Sequence, residues 1–76
     1  MRIVYRYPIV IERAGSNYSV YCPDLPGCVA TGKTIQEASR QAKKAISFHL
    51  DGMKKEGIPF PVPSSKIEYI SISLHA

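Results

Sequence analysis

Residues 18–38 read Tyr-Ser-Val-Tyr-Cys-Pro-Asp-Leu-Pro-Gly-Cys-Val-Ala-Thr-Gly-Lys-Thr-Ile-Gln-Glu-Ala. β-type residues over 18–22 and 28–31 flank a corner at 23–27 that is rich in proline and glycine, so we expect a strand, a turn and a second strand. Thr34 and Glu37 then have the spacing of a capping box, in which both side chains accept backbone N–H groups at a helix start. This stretch therefore predicts two short strands followed directly by a helix.

The residues before this stretch predict one more strand. Residues 3–13 are rich in β-branched and aromatic types, and the alternation places Ile3, Tyr5, Tyr7, Ile9 and Ile11 on one face. Residues 14–17, Ala-Gly-Ser-Asn, form a turn signal, so the first two strands are expected to make a hairpin. Because proline has no N–H for a ladder, Pro8 indicates an edge position or a bulge.

The residues after the capping box predict one long amphipathic helix over 35–56. The apolar positions that recur at helical spacing are Ile35, Ala38, Ala42, Ala45, Ile46, His49, Leu50 and Met53. Charged residues lie mostly on the opposite face. Gly57 and Pro59 are typical of a helix end, and the helix would be about 33 Å long.

Residues 66–74 alternate strongly and predict a last strand beside the first. The expected fold is α+β, a single domain over residues 1–76 with a four-stranded β-β-β-α-β sheet and the helix on one face. The second face of that sheet would need another cover, and a second copy of the chain would supply it. Apolar residues on both faces of the last strand also indicate a subunit contact.

Composition limits the class of protein. The chain has 76 residues, a formal charge of +4 and 45% hydrophobic residues, which is typical of one globular domain. Chains this short often need a partner subunit for stability, so we expect a homodimer or homotetramer. The longest apolar runs are far shorter than a membrane span, and the N-terminus has no secretory pattern. These features predict a cytoplasmic protein without a membrane segment.

The sequence resembles the HicB-like antitoxin family over residues 8–65. The matching segments are Tyr18–Cys28, Gly32–Ala38, the Ala42 and Ala45 stripe, Gly57–Pro59 and Pro63–Ser64. The resemblance implies a degraded ribonuclease H-like fold with strand order 3-2-1-4, and a dimer or tetramer. It also implies a function: such antitoxins bind a HicA toxin, a small ribonuclease, and occlude its active site.

Many members of the family carry an additional C-terminal domain that binds operator DNA. This chain ends one strand after the helix, at Ala76. The expected protein is therefore a stand-alone N-terminal HicB domain, for which DNA binding is not expected. The alternative function is nucleic-acid binding through the basic helix face.

Five residues are predicted to bind the partner. Asp24, Leu25 and Pro26 lie in the corner, and Arg40 and Lys44 lie on the helix. Each group also has a structural interpretation, because an Asx turn would use Asp24 to shape the corner and a basic helix face is ordinarily just solvated. No aromatic residue is predicted among the helix cations, so a stacking platform for single strands is not expected.

No catalytic residue, metal site or cofactor is predicted. The six carboxylates are scattered along the chain and are not expected to converge on metal ions as in ribonuclease H chemistry. Cys22 and Cys28 flank the corner, where a metal pair, a redox pair or a disulfide would be an alternative to two small buried side chains. We therefore expect a protein-binding module that is not an enzyme.

Overall fold

A computed structural model describes residues 3–75 of the chain. The strands β1 (Val10–Ala14), β2 (Asn17–Tyr21) and β3 (Val29–Gly32) are followed by the helix α1 (Ile35–Lys55). The strands form one sheet in the order β1-β2-β3, and both pairs are antiparallel. The predicted α+β class and the β-β-β-α part of the topology are confirmed.

Two short connections, the turn between β1 and β2 and the corner between β2 and β3, set the register of the sheet. Gly15 has φ +63° in the turn between β1 and β2, a backbone conformation that glycine adopts without steric cost. Val20 is paired with Ile11 on one side and with Ala30 on the other. Because directly opposed residues point to the same face of a sheet, these three side chains line the face towards α1.

The core lies between that face and the helix. Val20 and Ala38 are completely buried, and Ala42 is buried beside them. Gly32 allows the close approach of β3 and α1, since a Cβ added there would lie 2.8 Å from the Ala38 Cα. The small residues of the helix stripe therefore lie where the helix touches the sheet.

Thr34 caps the start of α1 as predicted, whereas Glu37 bonds to the residue before Thr34 and not to the Thr34 N–H that a capping box uses. Thr34 Oγ1 accepts a hydrogen bond from the Glu37 N–H at 3.0 Å, and Glu37 Oε1 accepts one from the Lys33 N–H at 3.3 Å. At the other end, Gly57 has φ +70° and the Ile58 N–H bonds to the Met53 carbonyl at 2.9 Å. The helix thus begins where the sequence predicts and ends one residue earlier.

Two strand predictions are wrong. The predicted last strand over 66–74 has no ladder partner in the described residues 3–75, so the sheet has three strands and not four in the order 3-2-1-4. A ribonuclease H-like sheet is accordingly not supported. The first strand runs over 10–14 and not over the predicted 3–13, because β2 ends at Tyr21, which is paired with Val10, and offers no partner to the residues before Val10.

The face of the sheet away from α1 is only partly apolar. One row consists of Val10, Tyr21 and Val29, and Tyr21 and Val29 are exposed. The next row, Glu12, Ser19 and Thr31, is polar. The expectation that this face needs a second copy as a cover therefore applies to one row at the end near the corner.

Candidate partner-binding site

The corner between β2 and β3 is a rigid double turn. The Leu25 N–H bonds to the Cys22 carbonyl and the Cys28 N–H bonds to the Leu25 carbonyl, both at 3.1 Å. Gly27 has φ +83°, which reverses the chain into β3. The Cys22 N–H also bonds to the Cys28 carbonyl at 3.2 Å, so the corner closes on itself.

Leu25 differs from its predicted role. Its side chain is only 1% exposed and packs with Cys22 and Cys28 against Ile46 and Leu50 of the helix. A buried leucine stabilises the corner from below and offers no side chain to a partner. Leu25 therefore positions the corner, and the neighbouring Pro26 is the exposed residue of the pair.

Asp24 joins the corner to the C-terminal part of the chain. Its Oδ1 accepts hydrogen bonds from Ser64 Oγ and Ser65 Oγ, each at 3.0 Å, and from the Ser65 N–H at 3.3 Å. Some loss of hydration raises the pKa of Asp24, but the hydrogen bonds from Ser65 and Ser64 outweigh it, so its pKa lies below the ordinary value. Instead of the suggested Asx turn, Asp24 holds a segment forty residues away.

A second contact fixes the same segment. The Tyr7 hydroxyl donates to the Pro61 carbonyl at 2.6 Å, and the Tyr5 ring meets Phe60 edge to face, with ring centroids 5.7 Å apart. Burial, followed by the charges of Tyr5, Cys22 and Asp24, raises the pKa of Tyr7, so the hydroxyl stays protonated and donates. These contacts of residues 60–65 were not predicted from the sequence. The local signal for them was weak, since it consisted of the proline-rich connector followed by two serines.

Arg40 and Lys44 lie on an exposed part of the helix, away from Asp24. Both line one shallow depression with Lys43 and Ser47. Among residues 3–75 the ion pair found is Asp51 with Lys55, at 3.8 Å, so neither Arg40 nor Lys44 is paired with a carboxylate. The five predicted residues therefore fall into two groups, one at the corner and one on the helix.

An apolar patch lies between Lys44 on the helix and Gly27 at the corner. Phe48 is 83% exposed and Val29 is 65% exposed, and the two share a depression with Lys44 on one side and another with Gly27 on the other. Sequence reasoning missed Phe48 because it lies outside the helical apolar stripe. An aromatic residue outside the apolar stripe of a helix was the signal that could have identified Phe48. Because Phe48 lies beside Lys44, the expectation that no aromatic residue lies among the helix cations is wrong.

The two cysteines are buried parts of the core. Both are free thiols, 3% and 7% exposed, in one cluster with Leu25. Burial, followed by the neighbouring Cys22, raises the pKa of Cys28, which keeps it in the unreactive thiol form. In the part of the chain that is described, no three metal-ligating side chains come together, and no helix has the length and hydropathy of a membrane span.

Comparison with known proteins decides the family. The model of the HicB-like antitoxins of bacterial toxin–antitoxin systems matches residues 7–74. The chain belongs to the HicB-like antitoxin family. This confirms the resemblance inferred from the corner and the capped helix.

Individual relatives of this HicB-like chain agree with that result. An uncharacterized 14.9 kDa protein in the rep-hol intergenic region of Haemophilus phage HP1 is 43% identical over 65 residues. That match covers 86% of this chain and 49% of the phage protein. The HicB-like chain therefore spans about half the length of this relative.

Two solved structures share the fold of the HicB-like chain. A chain of a HicA3 and HicB3 toxin–antitoxin complex has a TM-score of 0.66 and 33% identity, covering 79% of this chain and 70% of that one. The N-terminal domain of the Burkholderia pseudomallei antitoxin HicB has a TM-score of 0.63 and 28% identity, covering 88% and 72%. The sheet and helix described above are therefore those of an antitoxin N-terminal domain.

Proposed function

We propose that this chain is a non-enzymatic antitoxin domain that binds a small HicA-type ribonuclease toxin and occludes its active site. The observation that supports the proposal most directly is its likeness to a chain of a HicA3 and HicB3 complex, at a TM-score of 0.66 and 33% identity. Residues 1–76 would form one HicB-like domain that acts in the cytoplasm. Self-association as a dimer or tetramer is part of this proposal.

The surface proposed for the toxin is the patch around Phe48 and Val29 with its polar rim. Interfaces typically have an apolar, aromatic centre and a polar edge, and the two side chains are 83% and 65% exposed. Lys44 lies on the helix side of the patch, with Arg40 beside it in a further depression, and Gly27, which follows Pro26 in the chain, lies on the corner side. Because the centre is apolar, binding would not depend on the net charge of +4.

Co-expression with a HicA-type toxin encoded beside the source gene tests the proposal. We expect co-purification of the two proteins and rescue of toxin-arrested growth. Phe48→Ala should weaken the complex by about tenfold or more, as expected for a central aromatic residue. The matched control Tyr69→Ala removes an aromatic ring that is 96% exposed elsewhere and should leave binding unchanged. If the wild-type chain neither forms a complex with the toxin nor rescues growth, the antitoxin function is refuted.

Nucleic-acid binding through the helix is the second candidate. Arg40, Lys43 and Lys44 share one depression, and Phe48 beside Lys44 offers a ring on which a base can stack. A gel shift titrated against salt separates the candidates, because phosphate contacts make affinity fall steeply as salt rises. If no shift occurs at low salt, or the shift is independent of salt, this candidate is eliminated.

A further inference from the structure

The C-terminal arm, residues 66–74, starts beside residues 6–8 of its own chain, where Lys66, Ile67 and Glu68 share a depression with Tyr7, and is far more exposed from Tyr69 onward. Ile70, Ile72 and Leu74 are 80%, 72% and 87% exposed, and the described part of the molecule measures 55 × 27 × 22 Å. The residues just before the arm are held to the corner by Asp24 through Ser64 and Ser65. A fixed base thus presents an extended, apolar segment that the chain itself does not bury.

The side chains of the arm have the pattern of a strand with one buried face. Over residues 70–74, Ile70, Ile72 and Leu74 alternate with Ser71 and Ser73, so in this outer part of the arm one face is apolar and the other polar. This is typical of a strand at the edge of a sheet that is covered on one side only. The arm therefore has the composition of a fourth strand, although no strand of the described chain pairs with it.

The body offers a matching site on the β1 side. β1 is at the edge of the sheet, so one side of its backbone is unpaired. Beside it an open groove runs between the N-terminal segment 3–9 and α1, and its apolar lining includes Ile9, Ile46, Leu50 and Phe60. The groove remains open because α1 lies mainly over β3 and β2. An added strand would extend the sheet and cover the groove.

We propose that the arm of one copy pairs with β1 of a second copy and places Ile70, Ile72 and Leu74 in that copy's groove. The inference rests on the self-association proposed above and states which surfaces form it. Beyond Glu68, the last arm residue that shares a depression with the N-terminal segment, the arm is exposed on its own copy, whereas a second copy presents the same free edge and groove. If each copy gives its arm to the other, both β1 edges are paired and both grooves are filled through one two-fold interface, and the assembly is a closed dimer. It also covers an edge strand that would otherwise invite uncontrolled pairing.

Isotope-filtered NMR on the full chain tests the exchange directly. The sample is refolded from an equal mixture of ¹³C-labelled and unlabelled chains, so that filtered cross-peaks arise only between copies. We expect contacts from the Ile72 methyl groups of one copy to Ile9 and Ile46 of the other. Arm contacts within one copy only, or an arm without contacts, would overturn the exchange.

Sedimentation of a matched pair of variants supplies the second test. Ile70→Asp with Ile72→Asp places charges on the apolar face of the arm, and Ser71→Asp with Ser73→Asp places the same charges on the polar face. We expect the wild type and the serine variant at twice the 8.4 kDa chain mass and the isoleucine variant at the monomer mass, with unchanged helical circular dichroism. A dimeric isoleucine variant would overturn the exchange but leave self-association standing. A monomeric wild type would overturn both, and neither result bears on toxin binding.

Discussion

The strands β1–β3 and the C-terminal arm have similar sequences and different structures. β2 and the arm both alternate β-branched or aromatic residues with polar ones, yet Val20 in β2 is completely buried and Tyr69 in the arm is 96% exposed. The difference lies in the connections, since tight turns at Gly15 and Gly27 bring β1, β2 and β3 together. The arm follows a long helix and a proline-rich connector. Alternation thus specifies which face of a strand is buried, but the connection determines which neighbour it finds.

The largest effect is expected where β3 meets the helix. Gly32→Ala would place a Cβ 2.8 Å from the Ala38 Cα, and backbone atoms on both sides cannot move aside as a flexible side chain could. We expect a loss of about 4 kcal/mol or more in the free energy of unfolding, measured by urea denaturation.

The control for this prediction is Gly52→Ala in the exposed part of α1, where nothing lies within 4 Å of the added methyl group. It should stabilise the helix by about 1 kcal/mol. Equal stability of the two variants would contradict the account of the β3–α1 contact.

The second prediction compares a buried side chain of the corner with an exposed one of the arm. Leu25→Ala removes a leucine that is 1% exposed and leaves a cavity among Cys22, Cys28 and the helix. We expect a loss of about 3 kcal/mol. Tyr69→Ala removes a larger side chain that is 96% exposed and should change stability by less than about 0.5 kcal/mol. Thermal unfolding at low protein concentration measures both, and a comparable loss for Tyr69→Ala would show that the arm is packed onto the body.

The first and second predictions also mark how far the sequence alone reaches. The hairpin, the corner and the helix start were predictable because each is specified by neighbouring residues, as where Thr34 accepts the Glu37 N–H at the start of α1. The docking of Asp24 onto Ser64 and Ser65 was not, because forty residues separate the partners and no local pattern links them. The prediction of a fourth strand over 66–74 was wrong for the same reason. The alternation predicts a strand, but no local pattern indicates which strand it would pair with. At the site, the position of Leu25 in the corner predicts an exposed contact residue. Its burial follows from packing against Cys22, Cys28 and the helix, which the local sequence does not indicate.

The third prediction concerns the start of the helix. Thr34→Ala removes the oxygen that accepts the Glu37 N–H and should lower stability by about 1 kcal/mol. The same replacement at Thr31, an exposed residue of β3, removes no cap and should have a smaller effect. Urea denaturation of the two variants decides the matter, and equal losses would indicate that β propensity rather than capping is being measured.

The smallest effect is expected at the junction between the body and the arm. The pKa of Asp24 lies below its ordinary value of 3.8 because Ser65 and Ser64 donate to the ionised form. A lowered pKa in the folded state means that the contact contributes fully above about pH 4 and is lost as the pH falls through the folded-state pKa. We expect the Ser65 amide signal in ¹H–¹⁵N spectra to shift in that range and to become independent of pH there in Asp24→Asn.

The matched control for the junction is Glu68→Gln, which neutralises a nearby carboxylate of the arm that makes no hydrogen bond to the serines. Its Ser65 titration should follow that of the wild type. If instead Glu68→Gln abolishes the titration and Asp24→Asn retains it, the charge that fixes the base of the arm lies in the arm itself. The account in which Asp24 of the corner holds Ser64 and Ser65 would then be wrong.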